Sequence, residues 1–388
     1  MRAETTTTRI GAGLSTTANA GDAAVEAARA AKATVKTGVD LAVVFLSPHH
    51  ADGATAAIHK LVEELSPRHL LGCVAQGVVA GAREVEAGPA VAVWAASLPG
   101  ADIETFHALA EVSEDEVEVD GLPRLDDADL VALLVDPFTF PAGLVLDRLG
   151  DDGRTPPIVG GMALGAGGPE AQALIVDDEV VGSGAVGARL SGVEVRTVVS
   201  QGCSPLGADS VVTSADGNIV HELAGRPALE RLRAELGGLS PERQRLAAQG
   251  LLVGIVIDEN RSEYGRGDYL IRGLLGADQD TGAIAIGERV RIGQTLRFHV
   301  RDAASADEDL AEALDAVRAD SAAGALVFTC SGRGTSMFSA PDHDAVAISA
   351  ALGTEAVAGM FCGGEIGPVG GTPFLHGFTA TVAVFESR

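Results

Sequence analysis

The feature that most constrains this chain is a unit that it writes three times. In the first copy an apolar run from Leu41 to Leu46 reads as a buried strand, and Ile58, Leu61, Val62 and Leu65 line one face of a following helix. A glycine-rich turn, Leu71 to Gly77, then leads to a second apolar run, Ala90 to Ala95. The second copy has Leu130 to Val135, a helix closing near Leu149 and Gly150, and Val159 to Gly165. The third has Ala325 to Phe328, a helix around Val346 to Leu352, Ala358 to Gly364 and a closing strand from Phe378 to Phe385. Two glycines five apart mark each copy: Gly72 and Gly77, Gly160 and Gly165, Gly359 and Gly364. Glycine is required where the backbone takes positive φ or approaches a ligand closely. Repeated strand–helix–turn–strand units predict an α/β fold.

A different region separates the second and third copies. Pro227 stands at the start of a predicted helix with Leu229, Leu232 and Leu236 on one face, ended by Gly237 and Gly238. Ser240-Pro241 opens another helix, Leu251 to Ile257 reads as a buried strand, and Ser305 with Glu308 forms a capping-box pattern ahead of Leu310, Leu314 and Val317. The organisation expected is an N-terminal segment and helix over 1–37, a domain over 38–225 and a second domain over 226–388, the two domains packed together.

Composition excludes several functions. The 28 Lys and Arg against 54 Asp and Glu give a net charge of −26, which opposes binding to nucleic acid or anionic lipid. No apolar run approaches the ~20 residues that span a bilayer, and the N-terminus lacks the apolar core of a signal peptide, so a cytoplasmic protein is expected. Cys73, Cys203, Cys330 and Cys362 lie far apart without a C-x-x-C pair, and no histidines have metal-ligand spacing, so no metal is expected. The glycine-rich turns match neither the P-loop nor the dinucleotide fingerprint.

Chemistry-bearing residues concentrate in the last third. Cys330-Ser331-Gly332-Arg333-Gly334 follows a predicted strand, His343 follows shortly, and Cys362, Gly364, Glu365 and His376 come after. In open α/β sheets ligands sit beyond the carboxyl ends of strands. Arg333 has the planar fork that holds a carboxylate, and Glu365 amid glycines suits an amine. A plainer account pairs Arg333 with an acidic side chain, makes Cys330 and Cys362 core filler, and makes Asp342 a helix N-cap.

At these residues the chain resembles the FIST family, whose members pair a FIST N with a FIST C domain. Leu71-Gly72-Cys73 to Gly77, Gln201-Gly202-Cys203-Ser204-Pro205, Glu222 to Ala228, Cys330 to Gly334, His343-Asp344, Phe361 to Pro368 and Leu375-His376-Gly377 carry the resemblance in order. It implies a sensory protein that binds an amino acid or related small polar metabolite, not an enzyme. No output module follows, so a separate signalling partner is expected. The site expected is Cys330, Ser331, Gly332, Arg333, Gly334, His343, Cys362, Gly364, Glu365 and His376. No cofactor is expected on the first reading. A second reading, also from the family, is a haem-based nitric oxide sensor. A third takes Cys330 and His343 as the nucleophile and base of a cysteine-dependent hydrolase.

Overall fold

A computed structural model describes residues 7–36, 38–113, 116–151, 155–165, 168, 172–318 and 322–387. The chain is mixed α/β, and the fold divides into two compact units. The first unit comprises 1–199, 311–375 and 379–388; the second comprises 200–310 with 376–378.

The first unit is built from the three repeats. Each contributes a parallel strand–helix–strand: Leu41–Leu46, Ala54–Leu65 and His69–Val74; Leu130–Val135, Ala142–Asp151 and Ile158–Met162; Ala322–Cys330, His343–Leu352 and Val357–Cys362. A closing strand then returns antiparallel to the first strand of its own repeat: Val91–Ser97, Ala185–Ser191 and Thr379–Glu386. Between second and closing strands each repeat also has a β-hairpin, and this hairpin leaves its own sheet. The hairpin Gly77–Ala80 and Arg83–Val85 pairs with Val357–Cys362 of the third repeat. The hairpin starting at Leu174–Val176 pairs with His69–Val74 of the first, and the one starting at Glu365–Val369 pairs with Ile158–Met162 of the second. Three sheets are thus locked in a ring by exchange of hairpins.

The first glycine of every pair has one role. Gly72, Gly160 and Gly359 lie opposite Val44, Leu133 and Val327 on the parallel neighbour, and a Cβ at any of the three would collide with that residue's carbonyl oxygen. The second glycines differ. Gly77 begins one hairpin and Gly364 immediately precedes another, whereas Gly165 lies outside any strand.

Both faces of these sheets are buried, which is why their strands read as unbroken apolar runs. On the inner faces, Phe45, Trp94, Leu134, Phe328, Met360 and Phe385, drawn from all three repeats, share a single core. Trp94 lies 5.0 Å from Phe385, and Phe45 meets Phe328 edge-on at 6.3 Å. The outer faces are covered by helices; Ala27, Ala31, Ile58 and Leu61 cover the first sheet, and Val145 and Leu146 the second.

The second unit is an antiparallel sheet closed on itself. Cys203–Asp216, Thr295–Arg301, Leu251–Val256, Tyr269–Ala277, Ile284–Ile286 and Ile219–Leu223 pair in that order, and the last pairs back to the first. Leu206, Val253, Ile286 and Phe298 are in its core, together with Leu229 and Leu232 of a helix over Ala228–Gly237. Pro227 is the N-cap of that helix rather than its first residue. Ser240 caps the next helix as expected, accepting from Arg243 N. The capping-box reading at Ser305 is corrected: the helix begins at Ala303, Asp302 Oδ1 accepts from Ala304 N, and Ser305 Oγ donates to the Cys203 carbonyl. An earlier start lets the aspartate satisfy the free amide. No helix among the described residues is long and apolar enough to cross a membrane.

Candidate functional site

The parallel strands of the third repeat end level with each other, Cys330 opposite Cys362. Backbone geometry then fixes the turn: Ser331 donates from both N and Oγ to the Cys362 carbonyl at 2.9 and 2.8 Å, and Arg333 N donates to the Cys330 carbonyl at 2.8 Å. Gly332 N points at the Cys330 sulfur, 3.3 Å away. Gly334 has φ +60, and a Cβ there would come within 2.7 Å of the Glu86 carboxylate.

This turn carries Arg333 into the protein, where its side chain is 0% exposed. Nε and Nη2 donate to Asp344 Oδ2 and Oδ1 at 2.7 and 2.8 Å, a bidentate pair. Asp344 Oδ2 also accepts from Thr329 Oγ1 at 2.7 Å, and His343 Nδ1 lies 3.0 Å from Oδ1. Burial opposes the charge on Asp344, but the Arg333 guanidinium overcomes it and holds the carboxyl well below the usual carboxylate range. The Phe338 ring completes the layer, with the His343 ring stacked flat on it at 3.5 Å and the Arg333 guanidinium 5.3 Å from its centre. The fork expected to grip a ligand carboxylate is therefore occupied by Asp344. Arg333 Nη1 is left, buried and with no hydrogen-bond partner among the described residues.

Glu365 is 0% exposed at the start of its hairpin. Its Oε2 accepts from Thr379 N and Oγ1 at 3.1 and 2.9 Å, and the Cys330 thiol also bonds this carboxyl. Burial pushes this carboxyl up to about 8, against the opposing pull of Thr379, Cys330 and the Arg333 charge. Burial therefore favours the protonated form of this carboxyl near neutrality. Cys362 is fully buried, and its thiol is raised well above the usual range by that burial. His376 belongs to the other compact unit, where it too is buried.

The exchanged hairpin of the first repeat brings in residues that the sequence did not single out. Glu84 Oε1 accepts from Ala345 N at 2.9 Å at the start of the helix His343–Leu352, and Glu84 N donates to Asp342 Oδ1 at 2.6 Å. Asp342 stands at the N-cap position but makes no capping bond with its side chain. Burial, with Asp344, Glu86 and Asp342 nearby, pushes the Glu84 carboxyl up to about 7. Glu86 accepts from Thr335 N and Oγ1 at 2.8 and 2.9 Å, fastening the turn after Arg333. Glu84 and Ala345 are 261 positions apart, so no local pattern could reveal them. Asp344 was visible, eleven residues beyond Arg333, as the first acidic residue of the helix. Among the described residues no three His, Cys, Asp or Glu side chains form a group able to hold a metal ion.

Comparison with known proteins divides the chain along its sequence, at a boundary other than those of the two compact units. The FIST N domain model matches residues 40–226, and the FIST C domain model matches 228–368. A protein of Mycobacterium tuberculosis described as uncharacterized is 46% identical over 97% of this chain and 99% of its own length. One of Mycobacterium bovis, described in the same way, is 45% identical over 97% of this chain and 98% of its own. FIST domains are small-ligand sensory domains of signalling proteins. With both domain models matched in order along its length, the chain belongs to the FIST family.

Proposed function

We propose that this protein senses a small polar metabolite, amino acids and their relatives being the family's suggested class, at the cluster formed by Cys330 to Gly334, His343, Asp344 and Glu365, and signals through a separate partner. One observation carries the reading: Arg333 Nη1 is buried and unpaired among the described residues, while Nε and Nη2 of the same side chain are bonded to Asp344. A buried polar group left unpaired costs about 1–3 kcal/mol, more if charged. A ligand acceptor that pairs Nη1 recovers that cost, which gives it specificity as well as affinity. Glu84 and Glu86 tie the same turn and helix to the exchanged hairpin, a route by which occupancy can reach another repeat.

A thermal-shift screen of the full chain against the amino acids and small carboxylates tests this. A ligand at ~100 times its Kd adds about 2.7 kcal/mol to native stability, so a Tm rise of about 2 °C or more is expected for one chemical class. No shift from any compound with a folded sample would overturn the reading.

A further inference from the structure

We infer that the helix His343–Leu352 has two alternative N-terminal caps, Glu84 from the exchanged hairpin and its own Asp342, and that exchange between them couples the Arg333 cluster to the first repeat. As regulation of that cluster it rests on the sensor reading; as a property of the folded chain it stands apart from it. Two other helices have self-capped ends. Asn19 (φ −82) and Ser240 (φ −60) have extended backbones, and each side chain accepts from the third amide of its own helix, Asp22 N and Arg243 N. Asp342 has a suitable side chain and the same position, and its carbonyl accepts the first helical bond from Val346 N at 2.9 Å. Yet it stands at φ +61, a left-handed conformation that is costly for a residue with a Cβ, and its side chain makes no capping bond. The third amide of this helix, Ala345 N, donates instead to Glu84 Oε1 at 2.9 Å, while Asp342 Oδ1 accepts from Glu84 N at 2.6 Å. The result is a capping box formed between residues 258 positions apart.

This arrangement carries two costs. Asp342 is held in left-handed backbone, and Glu84 Oε2 is buried with no hydrogen-bond partner among the described residues, with Asp342, Asp344 and Glu86 close to the same carboxyl. The box itself offsets them, together with Arg83 at 3.4 Å from Asp342 and Ser349 Oγ donating to the Gly81 carbonyl at 3.0 Å. In the alternative state Asp342 returns to extended backbone and caps Ala345 N itself, while the Glu84 carboxyl turns to water. The helix end keeps a cap in both states, so the loss falls on the hairpin contacts alone. Topology permits the move: Arg83–Val85 is an edge strand, and its partner Gly77–Ala80 remains bound to Val357–Cys362. The cluster takes part because His343 and Asp344 directly follow Asp342, so a rotation of that backbone shifts the carboxylate that holds Arg333. A ligand that displaces Asp344 biases the choice of cap, and by linkage the cap biases the cluster.

The test is amide hydrogen exchange of the full chain without ligand, read at single residues. In the native chain the Glu84 amide is expected to exchange about tenfold faster than the Ala345 amide or more, after correction for intrinsic rates, because Asp342 covers Ala345 when Glu84 leaves. Glu84→Ala should quicken the hairpin amides yet keep Ala345 within about fivefold of its native protection. Asp342→Ala should also leave Ala345 protected, since Glu84 still caps it. With both substitutions the helix end has no cap, and Ala345 should quicken by about tenfold beyond the product of the two single effects. Ala345 as fast in Glu84→Ala as in the double variant would overturn the inference and make Glu84 a fixed latch. Should the variants fail to fold, the native chain decides alone, and equal protection of the Glu84 and Ala345 amides would overturn it. None of these outcomes touches the thermal-shift screen, so the sensor reading stands or falls separately; the expected exchange pattern beside a failed screen would keep the two caps and remove their sensory role.

Discussion

Arg333 and Asp344 show how a single residue pair can be read two ways from sequence and only one way in space. A guanidinium beyond a strand end suits a ligand, but here a carboxylate eleven residues on takes two of its nitrogens in the interior. Removing one partner of a buried pair strands the other, at a cost of about 3–5 kcal/mol. Asp344→Asn and Arg333→Leu are each expected to lose that much in urea unfolding, and the double variant less than their sum. Glu365 gives a prediction in pH. Its folded-state pKa, about 8, stands above the ordinary value, so the folded protein holds this proton more tightly than the unfolded chain. The contribution is fully present below the ordinary carboxyl range and is lost as pH rises through about 8. Glu365→Gln should therefore flatten the decline of Tm between mildly acidic and mildly alkaline pH. An unchanged slope would mean the carboxyl is ionised throughout.

At the scale of elements, the paired strands decide which glycines matter. Gly72, Gly160 and Gly359 each face a carbonyl oxygen of the parallel neighbour too closely for any side chain. Alanine at any of them should cost about 4 kcal/mol or prevent folding, because the obstacle is backbone and cannot turn aside. Gly88 has open space around its would-be Cβ but φ +94, so alanine there is strained by conformation alone and should cost about 1–2 kcal/mol. The exchanged hairpin offers a second test. Glu86→Ala removes two acceptors from Thr335, so hydrogen exchange at the Thr335 amide should quicken while the strand Ala322–Cys330 stays protected. Equal quickening across the strand would show that Glu86 supports the whole sheet.

At the scale of the molecule, 54 acidic residues against 28 basic ones make the native state repel itself, so Tm should rise by a few degrees between low and ~0.15 M salt. A fall would place the favourable ion pairs, such as Arg189 with Asp102, above the net repulsion. Much of this architecture was legible in the residues. Leu41–Leu46, Leu130–Val135 and Ala325 to Phe328 read as buried strands because both faces of each sheet are covered, whereas the first glycine of each pair, read as part of a turn, lies inside a parallel strand. What local pattern could not carry was partnership. Each hairpin is specified by its own short segment, yet its sheet is chosen by a repeat far away in sequence. The closure of 200–310 on itself likewise depends on Ile219–Leu223 finding Cys203–Asp216 at one side and Ile284–Ile286 at the other. The sequence by itself determined the repeated unit, the apolar strands, the family and the residues gathered at one strand end. Tertiary structure alone decided that Arg333 is bound to Asp344, that Glu365 is sealed from water, and that Glu84 and Glu86 arrive from another repeat. Apolar periodicity and backbone sterics act within a few residues, whereas ion pairing and desolvation depend on which distant groups the fold brings together.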